Sequence, residues 1–190
     1  MASIYGNAGG SLGNAGSWGG NVSASRAGAR GEQLTAAVLN QLAKSVDGLA
    51  VLHDLRIPIP GVKANIDHAI VSGDRVLLLD SKLWRPGFYW TIAGRTRRGL
   101  QRFEPADKKT LPMAYQGIGK LLQNTGARLP RPLLVVWPSQ PDKPQNLVFC
   151  RPAGADMVTG AHLETRLTRL LPQRADPQIL AALRRLLIKS

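Results

Sequence analysis

Apolar positions recur along this chain with two different periods, and the changes of period mark out its elements. From Glu32 to Val46 (EQLTAAVLNQLAKSV), Leu34, Val38 and Leu42 fall at i, i+4 and i+8, and Leu39 widens the stripe. That is the spacing of a helix with one buried face. Three strand-like runs follow. Leu49 to Leu55 (LAVLHDL) is stopped by Pro58 and Pro60; Ile66 to Val71 (IDHAIV) is the second; Arg75 to Lys82 (RVLLLDSK) is the third, and its VLLL core reads as a central strand. Ser72, Gly73 and Asp74 have turn chemistry and join the second and third runs as a hairpin. FYWTI, then AG, then RTRRGLQRF predict a further hairpin over 88–103. A helix is expected over 111–124, then a fully apolar strand, LLVVW at 133–137, framed by prolines, and another strand, NLVFC, at 146–150. Two amphipathic helices close the chain, one carrying Leu163, Leu167, Leu170 and Leu171, the other Ile179, Leu180, Leu183, Leu186 and Leu187. Helix, adjacent strands, helix, then more strands and helices predicts a mixed α/β layer fold.

The first 25 residues break this pattern. They contain seven glycines and no charged residue, and GNAGGS and GNAGSW form an imperfect repeat. Such a segment cannot repay the entropy of ordering its backbone, so residues 1–25 read as a flexible tail. No linker separates the later elements, and residues 26–190 are expected to form one domain.

Charge then narrows the partners. Lys and Arg total 25 against 12 Asp and Glu, a formal net charge of +13 that falls entirely on residues 26–190. Such an excess favours polyanions, nucleic acid first and an anionic membrane second. The lone cysteine, Cys150, excludes an internal disulfide framework and a cysteine-rich zinc site. No stretch approaches 18 apolar residues, and no basic segment leads into an apolar run at the N-terminus. The expectation is a cytoplasmic protein with no membrane span and no secretory signal.

Four residues stand out chemically. Asp67 interrupts a strand, Asp80 ends the VLLL run, and Lys82 lies two positions on, so Asp80 and Lys82 share a face. Reflection about Gly73 places Asp67 near position 79, one step from Asp80, within reach of one cation given a bulge. Two carboxylates at a buried sheet end repel, and a divalent metal is the usual remedy. The competing reading is an exposed strand-end ion pair of little worth, with Asp67 in a turn. Glu32 lies about 160° round the helix from Leu34, at the border of the buried arc. It is either a first-turn residue favoured by the helix dipole or a carboxylate aimed inward.

The segments RGEQ at Arg30 to Gln33, ANIDHAIV at Ala64 to Val71, LLLDSKLWRPG at Leu77 to Gly87 and PMAYQGIGKLL at Pro112 to Leu122 resemble the nuclease-related domain family, NERD, as does the strand PLLVVW. The resemblance covers 28–140 and leaves 141–190 as a C-terminal strand and helices. It implies the PD-(D/E)XK, restriction-endonuclease-like superfamily, with a mixed central sheet flanked by helices. It implies a nuclease that hydrolyses DNA phosphodiester bonds with Mg²⁺ or Mn²⁺. Glu32 would be the first-helix carboxylate, Asp67 the central metal ligand, Asp80 and Lys82 the acid-x-Lys pair, and Gln116 a helix residue lining the site. The Ser81 carbonyl would join Asp67, Asp80 and Glu32 around the metal. Asp80 stands where glutamate is usual, and the superfamily accepts either acid. Gly87 is displaced from its usual place after the tryptophan by Arg85 and Pro86.

Among the remaining residues, Arg95, Arg97, Arg98 and Arg102 are the best backbone-phosphate candidates, being clustered and close in sequence to the D-S-K strand. Trp84 and Trp90 offer base-stacking rings, although Trp84 at the sheet end suits packing better. Strand alternation points His68 away from Asp67, toward packing or hydrogen bonding. The C-terminal leucines either close the core or form a homodimer surface. The rival readings are a non-catalytic nucleic-acid-binding or assembly module that keeps the fold, and a basic packaging protein with scattered carboxylates.

Overall fold

The computed structural model describes residues 3–9, 22–143, 145–168 and 174–188. Its elements are β1 (Ser3–Tyr5), α1 (Val22–Ser45), β2 (Ala50–Arg56), β3 (Asn65–Ser72), β4 (Arg75–Trp84), β5 (Gly87–Ile92), β6 (Arg95–Arg98), β7 (Gln101–Arg102), α2 (Thr110–Leu122), β8 (Leu133–Pro138), β9 (Gln145–Phe149), β10 (Asp156–Thr159), α3 (Leu163–Leu167) and α4 (Pro177–Arg184). They build the mixed α/β architecture that the periodicities predict. A six-stranded sheet has the order β1-β2-β3-β4-β8-β10, and a four-stranded sheet the order β7-β6-β5-β9. In the larger sheet β2, β3 and β4 form an antiparallel meander. β1 runs parallel to β2, β8 parallel to β4, and β10 parallel to β8.

β4 is covered on both faces, which is why its centre is continuously apolar rather than alternating. Leu77 and Leu79 pack with Leu39, Leu42 and Ala43 of α1. Val76 and Leu78 pack with Leu111 and Ile118 of α2 and Ile179 of α4. Continued to the strand end, the alternation sends Ser81 to the α1 face and Asp80 and Lys82 to the opposite one. On β3, Ile70 belongs to the α1 face and Ala69 and Val71 to the other, so Asp67 shares the face of Asp80.

The buried line of α1 is Glu32, Thr35, Ala36, Leu39, Leu42 and Ala43, and Leu34 is only half-buried. The stripe is therefore centred on Leu39 and not on Leu34. Seven residues fall about 20° short of two full turns, so Glu32 lies nearly in line with Leu39. Thr35, Ala36 and Ala43 are small enough to let the helix lie low on the sheet. A Cβ at Gly31 would stand 3.4 Å from the Leu83 nitrogen. The helix also begins at Val22, ahead of the expected Glu32, through a small-residue run that shows no apolar stripe.

The flexible-tail reading of residues 1–25 is corrected at both ends. Ser3, Ile4 and Tyr5 pair with Ala50, Val51 and Leu52, and residues 22–25 open α1. Residues 10–21 lie outside the described residues. The pairing has a physical cause: β2 offers an edge of unpaired backbone groups, Ile4 and Tyr5 pack against the core, and Arg184 lies 4.6 Å from the Tyr5 ring centroid. The rest of that edge is taken by the chain's end. Arg56 N–H donates to the Leu186 carbonyl, and Ile188 N–H donates to the Asp54 carbonyl. Leu186 and Leu187 thus fall beyond α4, on this edge, rather than in a helix, and Leu170 and Leu171 lie outside the described residues.

In the smaller sheet, Ala93 and Gly94 both have positive φ (48° and 71°), the backbone a two-residue hairpin loop prefers. Its inner face, with Tyr89, Thr96 and Leu147 buried, packs on the main body. Tyr89 stacks on Trp84, 5.1 Å between centroids, and Phe103 meets both rings edge-on. Trp84 is therefore a packing residue. β10 escaped the sequence pattern because four residues (DMVT) carry too little periodicity to separate from a loop.

Gly6 tests the attachment of β1. It has φ +77°, and a Cβ there would stand 2.2 Å from the His53 carbonyl oxygen. Gly6→Ala is expected to cost about 1–3 kcal/mol in urea unfolding. It should also expose residues 3–9 to chymotrypsin. Unchanged stability with full protection would contradict the placement of β1.

Candidate active site

β3 and β4 join through a two-residue turn in which Ser72 faces Arg75, and the register pairs His68 with Leu79. One step further on, Asp67 comes level with Asp80. The turn centre lies between Gly73 and Asp74 rather than on Gly73, so the two acids face each other without a bulge. A cleft of about 560 Å³ opens at this end of the sheet. Glu32, Asp67, Asp80, Ser81 and Lys82 all line it, so residues from α1, β3 and β4 are brought together. The carboxylates are deeply placed, with Glu32 7%, Asp67 6% and Asp80 6% exposed.

A hydrogen-bond relay holds α1 against β4. Ser81 Oγ donates to Thr35 Oγ1 (2.8 Å), as does Trp137 Nε1 (2.9 Å), and Thr35 Oγ1 donates to the Gly31 carbonyl (3.2 Å). This sets the height of Glu32 over the strand end. The Ser81 N–H donates to Asp67 Oδ2 at 2.6 Å. Lys82 Nζ lies 2.5 Å from Asp80 Oδ2 and donates to the Ser81 carbonyl at 3.1 Å. An ammonium therefore stands on two hard oxygens, one of the Asp80 carboxylate and the Ser81 carbonyl.

The electrostatics follow from burial and crowding. Burial pushes the Glu32 carboxyl up to about 7, helped by the nearby Asp54 and Asp80 charges. Lys82 and the Gly9 backbone N–H pull the other way, so the N-terminal segment touches the site. Burial and the Asp80 charge raise Asp67 well above the ordinary carboxylate range. Burial pulls Lys82 down, but Asp80, Asp67 and Glu32 together outweigh it and hold its pKa above the usual value. The donors are hard oxygens, which suits Mg²⁺ or Mn²⁺. No three His, Cys, Asp or Glu side chains among the described residues are grouped so as to hold a metal ion. Mg²⁺ commonly takes only one or two carboxylates and completes its shell with water and substrate phosphate.

One expectation is corrected. Gln116 is exposed on α2 and does not line the cleft. The buried face of α2 runs through Leu111, Ala114, Ile118 and Leu122, and Gln116 lies about 160° round from Ala114 or Ile118. The first turn, Thr110 to Pro112, reaches the cleft instead. Of the four arginines, only Arg98 lines it, anchored by two donations to the Pro86 carbonyl (3.1 and 2.7 Å). β6 alternates, so Arg95 and Arg97 project on the other side of the sheet, and Arg102, paired with Arg97 in register, goes with them.

Arg85 and Lys108 join Arg98 at the cleft and were missed. Asp54 was missed too. It is buried, level with Asp67 in the β2–β3 register, and carries a φ of +59° that non-glycine residues rarely adopt. Asn65 Nδ2 donates to its carboxylate. The acid inside the apolar run LAVLHDL was the available signal. His68 lies on the α1 face as alternation requires, its Nδ1 2.8 Å from His53 Nδ1, and His53 Nε2 meets Asn40 Oδ1 at 2.9 Å. Burial lowers both imidazole pKa values, His53 to about 4. One neutral ring donates to the other.

The nuclease-related domain family matches residues 27–128, more than half of the chain, and the chain belongs to that family. The PD-(D/E)XK superfamily is consistent with it. No curated protein and no solved structure matches the chain. No described helix is long and apolar enough to cross a membrane.

Glu32 gives the site a pH signature. Its folded pKa of about 7 lies above the ordinary 4.5. The folded state therefore favours the protonated acid, and stability present below pH 4.5 is lost as pH rises through 7. Glu32→Gln carries no such loss. From pH 4.5 to 8 it is expected to gain up to about 3 kcal/mol on the wild type in urea unfolding. Parallel pH–stability curves would contradict the burial of an ionisable Glu32.

Proposed function

We propose that the chain is a metal-dependent nuclease that hydrolyses DNA phosphodiester bonds at the Glu32, Asp67, Asp80 and Lys82 cleft. The observation that carries this reading is the placement of Lys82 Nζ on Asp80 Oδ2 and the Ser81 carbonyl in a cleft shared with two further buried acids. A cation is already accommodated there. Asp67, Asp80 and the Ser81 carbonyl would hold Mg²⁺ or Mn²⁺, with Glu32 completing the acidic set. Such an ion polarises the scissile phosphate and lowers the pKa of a bound water. Lys82, displaced from Asp80, would orient the attacking water or neutralise charge developing on the phosphorane oxygens. Arg85, Arg98 and Lys108 supply positive charge for the phosphates that flank the scissile bond.

One observation favours the rival reading, a nucleic-acid-binding module that keeps the fold without catalysis. No three-residue metal set is preassembled among the described residues. That reading predicts DNA binding with a steep salt dependence and no gain from divalent metal.

The test is cleavage of supercoiled DNA with Mg²⁺ or Mn²⁺. Wild type is expected to nick it, and Asp80→Ala and Lys82→Ala are each expected to lower the rate by about 100-fold or more. Both variants should still bind DNA. Cleavage that survives both substitutions would remove these residues from the mechanism.

A further inference from the structure

The outer face of the smaller sheet has no role in the cleft, and it carries an unusual mixture. Phe88 (42% exposed), Ile92 (57%) and Phe149 (62%) are apolar and open to solvent. They are not scattered. Phe88, Trp90 and Ile92 alternate along β5 and so share one face. Trp90 pairs with Phe149 across β9, where a register shift turns Phe149 outward, and the Phe88 and Phe149 rings meet at 6.2 Å in edge contact. On the other side of β5, Trp90 pairs with Arg97 and Ile92 with Arg95. Arg97 pairs in turn with Arg102. Cross-strand partners project together, so three aromatic rings and three arginines occupy one side.

The rings are held in place. Trp90 Nε1 donates to the Gly99 carbonyl at 2.7 Å, and the Arg97 guanidinium lies 5.8 Å from the Trp90 ring centroid while donating to the Leu100 carbonyl. Interfaces between proteins also gather aromatic rings and arginine, so the choice of partner rests on net charge. Here three guanidinium groups on β6 and β7 lie beside the rings of β5 and β9, in a chain of net charge +13, which favours a polyanion. Aromatic faces that stack on bases, beside cations that meet phosphates, are what an unpaired polynucleotide strand requires. A duplex hides its base faces and could use only the arginines. β6 also links this face to the cleft, because Arg98, between Arg97 and the Gly99 turn, is turned to the cleft side.

We propose that this sheet face binds single-stranded DNA, with Phe88 and Phe149 stacking on unpaired bases and Arg95, Arg97 and Arg102 meeting the backbone phosphates. The choice of DNA rests on the nuclease reading; the binding does not depend on cleavage. The nuclease would accordingly act on DNA with an unpaired segment.

The experiment is fluorescence anisotropy of the full chain in EDTA, with a labelled thymidine oligonucleotide of roughly 15 nucleotides and a duplex of the same length. Wild type is expected to bind the single strand more tightly than the duplex. The variant Phe88→Ala/Phe149→Ala should weaken single-strand binding by about 10-fold or more. Its duplex binding should change less than about 2-fold, its salt-dependent phosphate contacts being intact. Both side chains are exposed, so the variant's thermal unfolding should match wild type. Arg97→Ala, which leaves both phenylalanines in place, should weaken both ligands. Equal single-strand affinity for wild type and the double variant would overturn the proposal. So would sedimentation showing a wild-type dimer that the double variant dissociates without loss of DNA affinity. Absence of cleavage with Mg²⁺, alongside intact single-strand binding, would overturn the nuclease reading and leave this one standing.

Discussion

Three carboxylates are buried in one end of a sheet, and a single lysine ammonium lies among them. Water stabilises such charges well and a protein interior does so poorly, so burial beside the Asp80 charge makes Glu32 and Asp67 costly to ionise. Lys82 relieves part of it by lying on Asp80. The rest remains as the raised pKa values of Glu32 and Asp67. A second cation in the cleft would offset that cost, which is the physical argument for the divalent metal of the proposed function.

The fold is what makes such an arrangement tenable. β4 delivers Asp80 and Lys82 from a strand buried on both faces, and the two-residue turn brings Asp67 level with Asp80. α1 is fixed over the strand end through Thr35, which ties Gly31, Ser81 and Trp137 into one relay. Each acid therefore sits on a rigid element rather than a loop. Asp54, at a strained φ beside them, is a further sign that local cost is accepted at this end of the sheet.

Much of this was legible in the sequence, and for identifiable reasons. The VLLL run and its charged end announced β4, because a strand covered on both sides must be apolar until it leaves the core. The Asp67–Asp80 approach followed from hairpin reflection to within one residue, since Gly73 alone could not distinguish a turn centre from its neighbour. Glu32 was harder. Leu34, Val38 and Leu42 make a convincing stripe, yet packing left Leu34 and Val38 half-buried and chose the smaller Thr35, Ala36 and Ala43, which let α1 approach the sheet. Ser3 to Tyr5 looked idle because a three-residue strand has no periodicity, and its stabilisation comes from the distant edge of β2. Gln116 and the four arginines show the limit of proximity in sequence. Which side of a helix or strand meets a cleft depends on tertiary packing, and alternation along β6 gave only Arg98 to the cleft.

The most direct test of the central claim is where a divalent ion goes. A crystal grown with Mn²⁺ and measured at the manganese absorption edge should show an anomalous peak roughly 2.1 Å from carboxylate oxygens of Asp67 and Asp80, with Lys82 Nζ moved off Asp80. An empty cleft with Lys82 still paired to Asp80 at saturating Mn²⁺ would contradict it.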